Sequence, residues 1–164
     1  MGKFELVAPD LDRWIRLATF RLAGAGIELA RFEAERLAAH GIGVRWADVW
    51  TSRHRTIDVS VTAKLDRLVA RRVSGEPLAY IEGSRGFYGL ELACGPGVLV
   101  PRPETEVVVE VALDLIADLR DPCVVDIGTG SGAISLAIAP QRADAEVVAT
   151  DLSEEALAYA RRNA

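Results

Sequence analysis

The chain has 164 residues, of which 50% are hydrophobic and 26% charged, with a net charge of −5. That composition fits a globular protein and excludes a disordered or fibrous one. No apolar run approaches the ~20 residues of a membrane helix, and the start lacks the basic and apolar regions of a secretory signal.

The charge is unevenly spread. Residues 1–75 hold 13 Lys and Arg against 9 Asp and Glu, whereas residues 76–164 hold 6 against 15. The overall acidity argues against direct nucleic-acid binding, and the basic front reads as a solvated helical surface. The two cysteines, Cys94 and Cys123, form no Cys-x-x-Cys pair. No metal site or disulfide framework is expected, and the cytoplasm is the expected compartment.

Residues 1–75 predict a small helical bundle. Leu11, Trp14, Ile15, Ala18 and Leu22 repeat at helical spacing, with Asp10 as cap and Gly24 to Gly26 as the stop. A second helix is predicted over 28–39, stopped by Gly41 and Gly43. A third is predicted over 45–51. A fourth covers 57–73, with Val61, Leu65, Leu68 and Val69 on one stripe and Gly75 after it. Trp14, Trp46 and Trp50 are expected in the core. His40 and His54 have no partners at metal-ligand spacing and read as surface residues.

The texture changes at Gly75-Glu76-Pro77. Residues 76–100 read as a β-hairpin linker in which aromatic and branched residues alternate with glycine, ending in a turn at 94–97 and a short strand at 98–100. Residues 101–164 then read as α/β. Pro103 suits a first helical position, with Glu104 and Glu106 favourable to the helix dipole. Val108, Val111, Ala112, Leu115 and Leu119 are the expected buried stripe. Residues 123–127 read as a buried parallel strand that takes Cys123 into the core. A glycine loop, a helix over 133–139, a strand over 146–150 and a helix capped by Ser153 follow. The fold class is therefore α/β: a helical bundle, a hairpin linker and the opening of a doubly wound, Rossmann-like sheet.

The chemistry concentrates in Asp126-Ile127-Gly128-Thr129-Gly130-Ser131-Gly132 and in Asp151, 23 residues beyond Gly128. Glycines let the chain turn sharply from strand to helix under a ligand. A carboxylate at the tip of the second strand can accept hydrogen bonds from both hydroxyls of a ribose. Gly128, Gly130 and Ala133 also satisfy the dinucleotide fingerprint, so glycine spacing alone leaves two ligands open. Charge separates them. A carboxylate at Asp126 would repel a pyrophosphate but attract the ammonium and sulfonium of S-adenosylmethionine, by ~4 kcal/mol for unit charges ~4 Å apart at an effective dielectric near 20. The loop reads as the cofactor site of a class I methyltransferase. Against this stand a ligand-free glycine turn, in which both acids merely cap, and a noncatalytic interaction module. Ser131 and Ser135 lack a neighbouring histidine in the sequence, so nucleophilic catalysis is unsupported.

Four segments together resemble the release factor glutamine methyltransferases of bacteria, the HemK/PrmC family. They are Gly75-Glu76-Pro77-Leu78-Ala79-Tyr80, Phe87-Tyr88-Gly89, Val100-Pro101-Arg102-Pro103-Glu104-Thr105-Glu106, and 126–132 with Asp151. The resemblance implies methyl transfer from S-adenosylmethionine to the glutamine side-chain nitrogen of a Gly-Gly-Gln motif in peptide-chain release factors. The bundle and hairpin would help to dock that protein. Gly128, Thr129, Gly130, Ser131 and Gly132 would wrap the methionine part, Asp151 would hold the ribose, and Leu152 would pack near the adenine. Arg102, Pro103 and Thr105 would border the pocket. The family carries an Asn-Pro-Pro-Tyr motif after its fourth strand, and such motifs also occur in DNA adenine methyltransferases. This sequence contains none. It is therefore expected to be a partial chain without activity of its own, and no catalytic residue is assigned.

Overall fold

The structure is a computed structural model and describes residues 10–164. The described chain divides into two units between Glu82 and Gly83.

The first unit is helical. Helix α1 (Leu11–Gly24) begins where the Asp10 carboxylate accepts the Arg13 N–H at 2.7 Å. Helix α2 (Ala30–Ile42) ends at Gly43 in the left-handed region, φ 72°. A 3₁₀ turn at Trp46–Asp48 leads into the short α3 (Val49–Ser52). Helix α4 (Val59–Val73) is capped by Asp58, which accepts the Val61 N–H at 2.8 Å. Leu11, Trp14, Ile15, Ala18 and Leu22 face Ala34, Leu37 and Ala38 of α2 and Leu65, Leu68 and Val69 of α4, forming one core.

Several expectations change here. Helix α2 runs through Gly41 instead of stopping before it. A Cβ on Gly41 would lie 2.1 Å from Leu65 Cδ2, so this glycine serves close packing of α2 on α4 and not termination. Trp46 and Trp50 are exposed rather than core, 46% and 58%. Trp46 packs edge-on against Phe32, and the Arg53 guanidinium lies over Trp50, so each ring finds a partner at the surface. Residues 78–82, expected to enter the hairpin, form helix α5 (Leu78–Glu82). Its first turn hangs from Pro77, whose carbonyl accepts the N–H groups of Tyr80 and Ile81, and Ile81 joins the helical core.

In the second unit β1 (Ser84–Phe87) and β2 (Leu90–Ala93) pair antiparallel. Phe87 faces Leu90, so Tyr88 and Gly89 form a two-residue turn, both at positive φ, 47° and 78°. That is the type I′ geometry whose twist suits a hairpin. Residues 98–100 do not form a strand. A 3₁₀ turn at Pro103–Thr105 opens α6 (Glu106–Leu115). Strand β3 (Cys123–Ile127), α7 (Ala133–Ile138), β4 (Glu146–Thr150) and α8 (Glu154–Asn163) follow, and β3 pairs parallel with β4.

The buried stripe of α6 keeps Ala112 of the expected one and otherwise differs from it. Val109 is fully buried, with Ala112, Leu113 and Ile116 against the same cluster, while Val108, Val111 and Leu115 are exposed. The helix is apolar nearly all round, so its spacing fits two phases, and packing against α7 selects one. It also ends at Leu115, which leaves the expected stripe residue Leu119 outside it and exposed. On the strands, Val124 and Val147 turn to the core, whereas Val125, Ile127 and Val148 on the other face are exposed. Cys123 is exposed for the same reason. The strands carry the branched residues of a doubly covered sheet, and the described residues cover one face.

Candidate functional site: the glycine loop and its two carboxylates

Parallel pairing in register places Ile127 opposite Thr150. The turn after β3 and Asp151 after β4 therefore leave the sheet side by side at its carboxyl edge, where open α/β sheets bind ligands. Three loop glycines take conformations that a side chain resists: Gly128 at φ 79°, Gly130 at 58° and Gly132 at 84°.

The loop's donors are largely used inside the protein. The N–H groups of Gly128 and Thr129 both donate to the Thr150 carbonyl, at 2.8 and 2.9 Å. Gly130 N–H donates to Asp151 Oδ2 at 2.9 Å, and Gly132 N–H to the Thr129 carbonyl at 2.9 Å. A loop built to cradle phosphate turns such groups outward to the anion. Here four of them are already engaged.

The two acids lie at the ends of this turn. Asp126 Oδ2 accepts the Thr129 hydroxyl at 2.7 Å and the Ser135 N–H at 3.3 Å, and the Thr129 and Ser135 hydroxyls are 3.0 Å apart. Thr129, Ser131 and Ser135 are buried. Asp151 Oδ1 accepts the Ser153 N–H at 2.9 Å, while its Oδ2 holds Gly130. The Ser153 N–H first, then that of Gly130, hold the Asp151 carboxyl below the usual carboxylate range against a smaller opposing effect of burial. Asp151 therefore stays ionised at neutral pH. Ser153 also caps α8 by accepting the Ala156 N–H at 3.2 Å, so the acid is fixed by the helix it precedes.

The structure thus brings together Asp126, residues 128–132 and Asp151. Leu152 beside them is fully solvent-exposed. Thr105 is half-buried, and Arg102 and Pro103 are exposed. The tie of their segment runs to the hairpin, where Glu106 Oε1 accepts the Tyr88 N–H at 2.9 Å. Val98, on the way to that segment, reaches the loop: a Cβ on Gly130 would lie 3.8 Å from its Cγ2. Sequence reasoning weighed Ser135 only as a nucleophile and missed its contacts with Asp126 and Thr129, and it missed the role of Glu106 as anchor of the hairpin turn. It also missed Asn163, whose side chain donates to the Ser131 carbonyl at 2.9 Å from 32 positions away. A concavity of about 510 Å³ runs along α7, β4 and α8. Its lining joins aliphatic side chains, among them Leu136, Val147 and Leu157, to the polar groups of Ser135, Thr150, Asp151 and Arg161.

Residues 13–83 match the PrmC N-terminal domain family, and residues 124–164 match a methyltransferase domain family. A release factor glutamine methyltransferase of Burkholderia pseudomallei is 47% identical over 136 residues, 83% of this chain and 48% of that protein. One of Streptomyces coelicolor is 47% identical over 148 residues, 89% of this chain and 51% of that protein. One of Escherichia coli is 37% identical over 156 residues, 94% of this chain and 55% of that protein. The chain spans about half the length of the curated relatives it matches.

Proposed function

From a chain that belongs to the release factor glutamine methyltransferase family, we propose S-adenosylmethionine-dependent methylation of a protein glutamine as the activity of the whole protein. The substrate is the Gly-Gly-Gln glutamine of a peptide-chain release factor. The observation that carries the cofactor reading is the loop itself: its N–H groups bond inward and carboxylates stand at both ends. That arrangement suits a cationic ligand with a ribose and disfavours a pyrophosphate.

The residues fit the cofactor. Space is open over Gly128, where a Cβ would meet nothing within 4 Å beyond its chain neighbours, so a ligand can approach the backbone. Asp126 draws the cationic end toward the turn, residues 128–132 wrap the methionine part, and Asp151 accepts from the ribose hydroxyls with lone pairs left beyond its two N–H partners. Leu152, exposed next to Asp151, offers an apolar surface for the adenine. Arg102, Pro103 and Thr105 border the pocket. When bound, the cofactor supplies an electrophilic methyl on sulfur. A glutamine nitrogen shares its lone pair with the carbonyl and is a poor nucleophile, so orientation against that methyl supplies much of the rate. The chain described here contributes cofactor binding, and no residue in it is assigned to orient the glutamine.

The helical unit contributes to docking of the release factor. The acidity of residues 76–164 weighs against a nucleic-acid target. Among the described residues no helix is long and apolar enough to cross a membrane. We assign a cytoplasmic location, where release factors act. Incubating the full-length protein with a release factor and methyl-labelled cofactor tests the proposal. Label on the Gly-Gly-Gln glutamine supports it, and label on another residue or on nucleic acid sinks it.

A further inference from the structure

We infer that Asn163 is a positioning residue for the methionine end of the cofactor, acting through the Ser131–Gly132 peptide. This inference rests on the cofactor reading of the loop.

Helix α8 carries Glu155, Tyr159 and Asn163 four residues apart, on one face. That face lies against the segment leaving the hairpin. A Cβ on Gly97 would come within 2.3 Å of Glu155 Oε2, and one on Gly95 within 2.4 Å of Tyr159 Oη. The third residue of the stripe does more. Asn163 Oδ1 accepts the Ala93 N–H at 2.8 Å, and its Nδ2 donates to the Ala93 carbonyl at 3.1 Å. The amide thus continues the edge of β2 as a further strand residue would. The second hydrogen of Nδ2 reaches the Ser131 carbonyl at 2.9 Å. Both donors and one acceptor lone pair are in use. The reversed amide would set its oxygen against two carbonyls, so this network fixes the orientation of the side chain.

Ser131 is 2% exposed, and a carbonyl buried there without a donor is costly. Asn163 supplies that donor from the side of α8. The Gly132 N–H of the same peptide goes to the Thr129 carbonyl. Both polar ends of the Ser131–Gly132 peptide are thereby bound, and its plane is set before a ligand arrives. Asp151, which would hold the ribose, depends on other bonds, to Gly130 and Ser153. Loss of Asn163 therefore frees the methionine end of the site and leaves the ribose end in place.

The test uses the full-length protein, wild type and with Asn163→Ala or Asn163→Asp. The second keeps size and an acceptor for Ala93 but loses both donors. Calorimetry measures S-adenosylhomocysteine and adenosine, and amide hydrogen exchange is followed at Ala93 and residues 128–132. Both variants are expected to weaken S-adenosylhomocysteine about tenfold while adenosine stays within about twofold, with faster exchange at Gly132. A purely structural role predicts equal losses for the two ligands, and that result, or no loss for either, overturns the inference. If the wild type binds neither ligand, the cofactor reading fails. Exchange then still judges the clamp, and unchanged rates at Gly132 in both variants overturn it separately.

Discussion

Gly128→Ala and Gly132→Ala are the same chemical change at two ends of one turn, and the surroundings give them opposite consequences. Both glycines hold positive φ, 79° and 84°. An alanine held in that region costs about 1–2 kcal/mol. At Gly128 a Cβ meets nothing within 4 Å, so this strain is the whole expected loss of stability. At Gly132 the Cβ would lie 2.9 Å from Leu136 Cδ1 and 3.4 Å from Ala160 Cα. Ala160 Cα is at ordinary contact distance, and the clash is with Leu136, whose Cγ would also lie 3.3 Å away; displacing that side chain from its packed position adds about 1–3 kcal/mol. Urea denaturation is expected to show Gly132→Ala less stable than Gly128→Ala by that margin, with equal m-values. Binding should rank the other way per unit of stability lost. The open space over Gly128 is where the ligand approaches, so its methyl group should weaken S-adenosylhomocysteine by about tenfold or more, or about 1.4 kcal/mol. Equal stabilities would refute the packing argument. Unchanged affinity in Gly128→Ala would refute the assignment of that space to the ligand.

Gly41→Ala tests the helical core. Alanine ordinarily gains about 1 kcal/mol over glycine inside a helix, but here the Cβ meets fully buried Leu65, and thermal or urea unfolding is expected to show a net loss of about 1–2 kcal/mol. A stabilised variant would show that α2 and α4 have room to separate. Asp151→Asn keeps one acceptor of two and removes the charge, so calorimetry should find adenosine weakened by about tenfold. Because its carboxyl is held below the usual range, carbon-detected NMR of the ligand-free protein should place the Asp151 titration below the ordinary Asp value of about 3.9. A midpoint at or above the ordinary value would contradict the two N–H contacts. Asp144, hydrogen-bonded first of all by Arg142, has its carboxyl pushed down to about 2. Carbon-detected NMR should place its titration there. The stability it lends is present above the unfolded pKa and declines as pH falls toward the native one.

What the sequence made legible was local. Asp10 and Ser153 cap helices because an acceptor one turn before the first free N–H is a short-range requirement, and both were readable. The glycine loop between two acids was readable because a strand–turn–helix step limits which residues can stand there. The remainder depended on contacts distant in sequence. Helix α6 offered two apolar faces, and only packing on α7 distinguished Val109 from Val108. Trp46 and Trp50 resemble core residues by type, yet surface partners satisfy them. Tyr80 and Ile81 have strand-like side chains, but Pro77 starts a helical turn under them. Cys123 and Val125 alternate as in a buried strand, and whether each face is covered is not a local property. Asn163 gave no signal because its partners, Ala93 and Ser131, lie 70 and 32 residues away.

The central claim is that the turn at 128–132 receives a cationic, ribose-bearing ligand and not a pyrophosphate. Calorimetric titration of the full-length protein with S-adenosylmethionine and, separately, with NADH decides it. The account predicts saturable binding of S-adenosylmethionine, weakened in Asp151→Asn, and no heat from NADH. Saturable NADH binding with none for S-adenosylmethionine would contradict it.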